Sequence, residues 1–275
     1  MAALRLTGVA LRLIVAAAAV ACASTHPPRG SAAAGSVEPE RARAARRAQA
    51  PALQRMFRAA HVGYPARLLI VAFKWERTLE LWGFSRQTGR YVRVASYPFL
   101  AGSGELGPKR RSWDHQIPEG FYRVTLLNPA SLYHLSLELD YPNAADRILG
   151  DARDPGSEIF IHGGAASDGC IPIGNRAIEQ LYIAVLDSRA AGYPVPLEIF
   201  PCRFSDPACR GLLEREDRNR PALAAFWADL AEGYELFARS GCPPVVVVDA
   251  SGRYLYRDQE RHARAGRDAH GSSSH

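Results

Sequence analysis

Residues 158–174 read Glu-Ile-Phe-Ile-His-Gly-Gly-Ala-Ala-Ser-Asp-Gly-Cys-Ile-Pro-Ile-Gly. The apolar step Ile159, Phe160, Ile161 has the character of a strand and delivers His162 to its end. Gly163, Gly164 and a run of small residues through Ser167 and Asp168 then let the chain fold back tightly, so that Cys170 can approach His162. A thiol is a weak nucleophile until it loses its proton, and a neighbouring imidazole supplies the acceptor. The stretch therefore predicts a nucleophile, Cys170, and a general base, His162. The backbone N–H groups around Gly169 and Cys170 are expected to face a developing oxyanion, with Ser167 supporting the turn. No Gly-Lys-Ser/Thr follows the paired glycines, which excludes a phosphate loop.

Upstream, the pattern is one of strands. Residues 67–73 (RLLIVAF) form a continuous apolar run, residues 78–82 (TLELW) alternate, and residues 91–97 alternate again after the turn signal Gln87-Thr88-Gly89. Residues 101–120 break this rhythm with three glycines before a closing Pro-Glu-Gly, and a loop of that length in a compact domain is expected to carry function. Strands are expected again at residues 121–126 and 133–139, with a turn at Asp140-Tyr141-Pro142-Asn143. Downstream, residues 175–191 have apolar positions at helical spacing (Ile178, Leu181, Tyr182, Val185), and Gly192 ends the helix. Residues 195–200 read as a last strand of the sheet whose prolines put it at an edge or at a strand start.

Beyond Pro201 the composition turns helical and charged. A helix is expected from Pro221 to Phe237, followed by a hairpin of residues 244–249 and 253–256 across Ala250-Ser251-Gly252. These residues, 201–258, are expected to form a small helix-plus-hairpin appendage, with residues 259–275 a disordered tail.

At the other end, Arg5 and Arg12 precede a short apolar run closed by small residues, the form of an export signal over residues 1–22. Ala19-Val20-Ala21-Cys22 is similar to a bacterial lipobox, which would make Cys22 a lipidated first residue. Residues 23–61 read as a flexible basic linker. The net charge of +6 resides in this region, because the first 61 residues hold nine arginines against two glutamates, while the rest is close to neutral. A nucleic-acid groove is thereby excluded, and the membrane enters only through a signal or lipid anchor. The five cysteines contain no CxxC pair, so neither a thioredoxin motif nor a zinc ribbon is indicated, and no metal or cofactor is expected. In an oxidising compartment Cys202 and Cys209 are spaced to close a small disulfide, pairing with Cys242 is equally allowed, and one of the three stays odd if Cys170 is free.

Several separated pieces together resemble the L,D-transpeptidase (YkuD-type) catalytic domain, and within it a YafK-like, murein-acting subgroup. They are His162-Gly163 with Ser167, Gly169 and Cys170; Gly107-Pro108-Lys109 followed by Asp114, Gln116 and Pro118-Glu119-Gly120-Phe121-Tyr122; Tyr133-His134 with Tyr141-Pro142-Asn143; and Phe226-Trp227 with Gly233-Tyr234. The resemblance covers about residues 64–256 and implies a β-rich α+β fold, a β-sandwich-like catalytic domain over residues 62–200 with a surface helix. It also implies substrate contacts at Lys109, Asp114, Glu119, Tyr122, His134 and Gly163. The implied activity is a thioester acyl-enzyme on diaminopimelate-containing peptidoglycan stems, as L,D-transpeptidase or amidase, with a wall-anchored lipoprotein as a further partner and the cell envelope as location. Asp168 and Pro172 stand where many members carry a histidine and a substrate-binding arginine. The alternative implied is a catalytically degenerate protein that binds peptidoglycan.

Overall fold

The computed structural model describes residues 22, 38–218 and 220–257. The expected signal, the first part of the linker (23–37) and the tail lie outside them. Fifteen elements follow in order: α1 (Glu40–Ala59), β1 (Leu68–Phe73), β2 (Thr78–Ser85), β3 (Arg90–Pro98), β4 (Gly120–Asn128), β5 (Ser136–Leu139), α2 (Ala144–Leu149), β6 (Phe160–His162), β7 (Ile171–Pro172), α3 (Asn175–Ala190), β8 (Pro196–Phe200), α4 (Pro207–Asp217), α5 (Pro221–Ser240), β9 (Val245–Val248) and β10 (Tyr254–Arg257).

Eight strands form one curled α+β sheet in the order β3-β2-β1-β8-β4-β5-β6-β7. The strand that joins its two halves is β4. Residues 120–123 pair with β8, a register shift lies between Val124 and Leu126, and residues 126–128 pair with β5. A bulge of this kind bends and twists a strand, which lets one ribbon of sheet wrap its own core. Strand β8, with Pro196 at its start, is central between β1 and β4 and not at an edge.

The apolar run of β1 explains the layers. All six residues are buried, and side chains alternate across a strand. Leu68, Ile70 and Ala72 join the core beneath α1 and α3, while Leu69, Val71 and Phe73 join a second core with α4, α5 and Tyr254 of β10. The C-terminal helices and hairpin thus cover the opposite face of the same sheet and share its core, where composition alone suggested an appendage. A strand apolar at every position needs cover on both faces, and this is what supplies it.

Residues 40–59 correct the reading of a linker through residue 61, because they form helix α1. Its buried face, Ala42, Ala45, Gln49, Leu53 and Phe57, is built mainly of small or lone apolar residues that a search for large periodic side chains passes over. Alanine favours helix intrinsically, and polar clamps dock it on α3. Arg46 grips Asp187 with two nitrogens at 2.7 and 2.9 Å, Tyr64 Oη donates to the same carboxylate at 2.6 Å, and Gln49 donates to Glu179 at 2.8 Å.

The 21 residues between β3 and β4 have no regular structure, and buried charge holds them in place. Lys74, at the end of β1, donates to Gly107 O (2.7 Å) and Ile117 O (2.8 Å) and pairs with Glu119 at 3.0 Å. Glu119, fully buried, also accepts from Gly107 N and from Trp227 Nε1, both at 2.7 Å. Cys202 and Cys209 form a disulfide. Cys242 is not odd: it is joined to Cys22, with their Cα atoms 5.6 Å apart, and Cys170 is free. No helix among the described residues is long and apolar enough to cross a membrane.

Two outcomes follow from the buried charges. Removing one partner of a buried ion pair strands the other, so Glu119→Gln is expected to cost about 3–5 kcal/mol in urea unfolding, with Lys74→Met/Glu119→Leu together costing less than either change alone. Glu198 in β8 is buried and its Oε2 has no partner. Burial pushes its carboxyl up to about 8 from an ordinary 4.5. The folded state holds this proton more tightly than the unfolded chain, so the contribution is most favourable below about pH 4.5 and is lost as pH rises through 8. That loss amounts to roughly 3–6 kcal/mol, and Glu198→Gln should flatten the pH dependence of stability between pH 5 and 8.

Candidate active site

Strand register brings the two expected catalytic residues together. β6 and β7 run parallel with Ile161 opposite Ile171 and His162 opposite Pro172. Continued back one residue, the register sets Cys170 opposite Phe160, whose backbone N–H faces the sulfur. Opposed residues and residues two apart share a face. Cys170 and His162 are therefore diagonal neighbours on one side of the sheet, as residues 158–174 predicted.

His162 is buried, and its Nδ1 lies 2.5 Å from Gly163 O. A carbonyl can only accept, so Nδ1 carries the proton and Nε2 keeps its lone pair. The Tyr133 ring lies against the imidazole with centroids 4.6 Å apart. Burial lowers the proton affinity of His162, and the bond to Gly163 O opposes that shift. Cys170 is half-buried, with its Sγ 3.8 Å from Glu158 O. Burial pushes the thiol up, Phe160 N–H partly offsets this, and the Asp168 charge adds to it. Both groups are thus neutral at rest, a thiol beside an imidazole with one free lone pair.

A directional chain of hydrogen bonds closes the nucleophile turn. Gly169 N–H donates to Ser103 Oγ at 2.7 Å, and Ser167 Oγ donates to Cys170 O at 2.8 Å. The two hydroxyls lie 3.1 Å apart. With the Ser167 proton committed to the carbonyl, Ser103 must donate to Ser167. The N–H expected to face an oxyanion is thus held by a serine from the long loop. Gly169 has φ +84°, and a Cβ there would lie 3.1 Å from Gln116 O. Gly163 is required by close approach, since a Cβ would come within 2.6 Å of both Tyr133 O and Asn175 Oδ1.

The residues expected to contact substrate are engaged within the protein. Lys109 is buried, with Nζ on Asp114 Oδ1 (2.6 Å) and Arg111 O (2.8 Å). Asp114 accepts the N–H groups of Arg110, Arg111 and Gln116 at 2.8–3.1 Å, and against the upward push of partial burial the Lys109 ammonium first, then these N–H groups, hold its carboxyl below the usual range. Tyr122 Oη lies 3.0 Å from buried Asp146 and 3.1 Å from Glu119 O. His134 sits in the turn before β5, not within the strand, with φ +75° and its Nε2 2.8 Å from Glu179.

Sequence reasoning missed Ser103, Tyr133, Asn175 and His115 as members of the site. Asn175 opens α3 and accepts Gly164 N–H at 2.9 Å, and His115 Nδ1 lies 2.5 Å from Asp168 across the mouth. The signal available for Ser103 was its place in a Gly-Ser-Gly step of an unusually long loop. Among the described residues, no group of three His, Cys, Asp or Glu is placed to hold a metal.

Residues 69–197 match the family model of the L,D-transpeptidase catalytic domain, YkuD. YafK of Escherichia coli (strain K12) is 34% identical over 197 residues, covering 70% of this chain and 74% of its own. Among solved structures, the helical cell shape determining protein Pgp2 of Campylobacter jejuni aligns at 15% identity and TM-score 0.41, over 81% of this chain and 78% of its own. Bd1075 of Bdellovibrio bacteriovorus aligns at 20% identity and TM-score 0.36, over 75% and 71%. At 34% identity to YafK over 74% of its length, the chain belongs to the YkuD-type L,D-transpeptidase family.

Proposed function

We propose that this protein is a cysteine acyltransferase acting on diaminopimelate-containing stem peptides of peptidoglycan in the cell envelope. The observation that carries the proposal is the pairing of a half-buried, free Cys170 with a buried imidazole whose tautomer leaves Nε2 as the acceptor. His162 Nε2 takes the thiol proton as Sγ attacks the amide carbonyl, and the oxygen becomes an oxyanion. Collapse of that intermediate breaks the C–N bond, the imidazolium returns the proton to the leaving amine, and a thioester remains. An acceptor amine then restores an amide and gives a cross-link or an attachment to protein, whereas water gives a carboxylate and releases the stem or a wall-bound lipoprotein.

Starting from a neutral pair has a physical benefit. Burial that disfavours both charges at rest keeps the thiol protonated until substrate excludes water and polar groups stabilise the developing charge. Ser103 and Gly169 N–H are the nearest such groups to the nucleophile turn, and a substrate oxygen can replace Ser103 Oγ on that N–H. Lys109, Asp114, Glu119 and Tyr122 hold the wall that carries Ser103, and Gly163 and His134 shape the opposite side. The Cys22–Cys242 disulfide uses the sulfur that a lipid thioether would need, so the disulfide-bonded protein carries no lipid on the Cys22 sulfur.

Alkylation by iodoacetamide is expected to modify Cys170 alone, with a rate that climbs through the alkaline range past the ordinary thiol value and no plateau between pH 5 and 8. Such a plateau, reported by intact mass, would mean a thiolate–imidazolium pair at rest and would contradict the neutral pair.

Incubation with purified sacculi, followed by mass analysis of muropeptides, is expected to yield products that Cys170→Ala does not form. New cross-links identify an amine acceptor, and shortened or released stems identify water. Ser103→Ala should slow product formation by roughly tenfold or more. Identical products from the protein and from Cys170→Ala would defeat the proposal.

A further inference from the structure

Helix α3 begins without a side-chain cap. Gly174 is its N-cap, and the first turn holds no acidic residue. The first intrahelical bond runs from Ile178 N–H to Gly174 O at 3.0 Å, so the N–H groups of Asn175, Arg176 and Ala177 have no acceptor within the helix. A serine or aspartate at residue 174 would ordinarily fill that need. It is prevented here, because Gly174 has φ +80° and a Cβ would come within 2.9 Å of Leu100 Cδ1. Asn175 offers nothing to its own helix either, since its Oδ1 accepts Gly164 N–H at 2.9 Å. In place of an acid the turn carries Arg176, which is exposed and has no ion pair or hydrogen bond from its side chain among the described residues. A cation at the positive end of a helix of 16 residues is unfavourable until an anion joins it.

This helix start opens into a hollow of about 540 Å³ lined by residues of α1, β3 and α3. Tyr97 of β3 forms part of its wall; the residue is 7% exposed, and its Oη is buried with no hydrogen-bond partner. Burial pushes the phenol up, so the hydroxyl keeps its proton and remains a donor through neutral pH. A buried donor without an acceptor is costly and calls for a reason. The hollow that Tyr97 lines supplies one, because it is a space in which an acceptor can sit. Among the described residues its lining includes no carboxylate, and Glu179, one turn along α3, is already engaged by His134 and Gln49. Free helix N–H groups, a guanidinium and a phenol on one surface make a ready site for an oxyanion. Met56 and Ile173 add an apolar side, and the volume is that of a small organic ligand and not of a bare ion.

We infer that this hollow binds a phosphomonoester, with the first-turn N–H groups of α3 and the Tyr97 hydroxyl donating to its oxygens, Arg176 as counter-charge, and Met56 and Ile173 against its organic part. A phosphate approaching two negative charges answers both the guanidinium and the helix end, and its three terminal oxygens accept from several donors at once. A carboxylate, with two oxygens and one charge, uses fewer of them. The phosphate is carried either by a small solute or by a lipid headgroup. The site uses neither Cys170 nor His162, so it is a second binding function of the chain, independent of the acyl transfer proposed above.

The test uses the full chain in phosphate-free buffer at constant ionic strength, with glycerol 3-phosphate as the probe, read by calorimetry and by the rise in Tm. Saturable binding is expected, roughly tenfold or more tighter than that of acetate. Tyr97→Phe and Arg176→Gln should each weaken it by roughly tenfold. Arg147→Gln, which removes an exposed charge on α2, should leave it unchanged. Tyr97→Phe carries its own control for folding. It removes a hydroxyl that has no partner, so its Tm without ligand should equal or exceed that of the parent while the ligand-induced rise is lost. Flotation with phosphatidylcholine vesicles containing phosphatidic acid separates the two sources. Co-flotation that Tyr97→Phe abolishes assigns the phosphate to a lipid headgroup, and binding confined to glycerol 3-phosphate assigns it to a solute. Absence of saturable binding to either probe, binding that acetate matches, binding that survives both substitutions, or an equal loss in Arg147→Gln would overturn the inference. So would a Tyr97→Phe protein less stable than the parent without ligand, because the hydroxyl would then have a partner inside the protein.

Discussion

The ion pair between Lys74 and Glu119 is the constraint from which the site follows. Two charges buried to 5% and 0% side-chain exposure are costly unless every proton and lone pair is used. Here all three ammonium protons have acceptors, two of them carbonyls of the long loop, and Glu119 takes an N–H of that loop and the indole of Trp227. A loop of 21 residues without regular structure would otherwise pay a large ordering entropy. Gly107, near its middle, and Ile117, near its end, are pinned to one ammonium, and the segment between them is tied down by Asp114. His115 lies within that pinned segment, and Ser103 stands four residues before it.

Rigidity on that side matters because the reacting pair has little of its own. β7 is two residues long and lies at the sheet edge, and β6 is three. Cys170 keeps its place through the Ser103–Ser167 chain, through Leu100 N–H on Pro172 O and through Ile173 N–H on His162 O. The last bond is notable because it ties the strand after the nucleophile directly to the base. Displacement of the long loop would thus disturb the geometry of Cys170 without touching either catalytic side chain.

The legible parts of the sequence were those with local cause. The strands β1 to β4, the helix α3, the helix α5 and the β9–β10 hairpin declare themselves by periodicity and by turn residues, and His162 with Cys170 by a compact motif. Helix α1 was hidden because its partners, Asp187 and Glu179, lie more than a hundred positions away and its buried face is largely alanine. Tyr133 was hidden similarly: only the tertiary fold lays its ring on His162. The polar residues Lys109, Asp114 and Glu119 were expected at the substrate through the family resemblance, which carries residue identity but not hydrogen-bond partners. An irregular loop must satisfy its backbone groups somewhere, and these side chains are where it does so.

The family match spans residues 69–197, which contain every group placed at the reacting centre, and further supports come from outside it. On one side, Arg41 of α1 donates to Ser131 O at 2.8 Å and to His134 O, and so holds the turn that carries Tyr133 against the imidazole. On the other, Trp227 of α5 donates to Glu119 and completes the pair that holds the Ser103 loop. Tyr254 of β10 adds a second tie by accepting from Asn143, the cap of α2, whose Asp146 receives Tyr122. The segments before and after the matched region each brace one wall of the cleft, and each does so through a hydrogen bond to a group directly behind a residue that touches the catalytic pair. The Tyr133 turn and the Ser103 loop, which flank the catalytic pair, are thus braced by α1 and α5 in addition to the strands that present the chemistry.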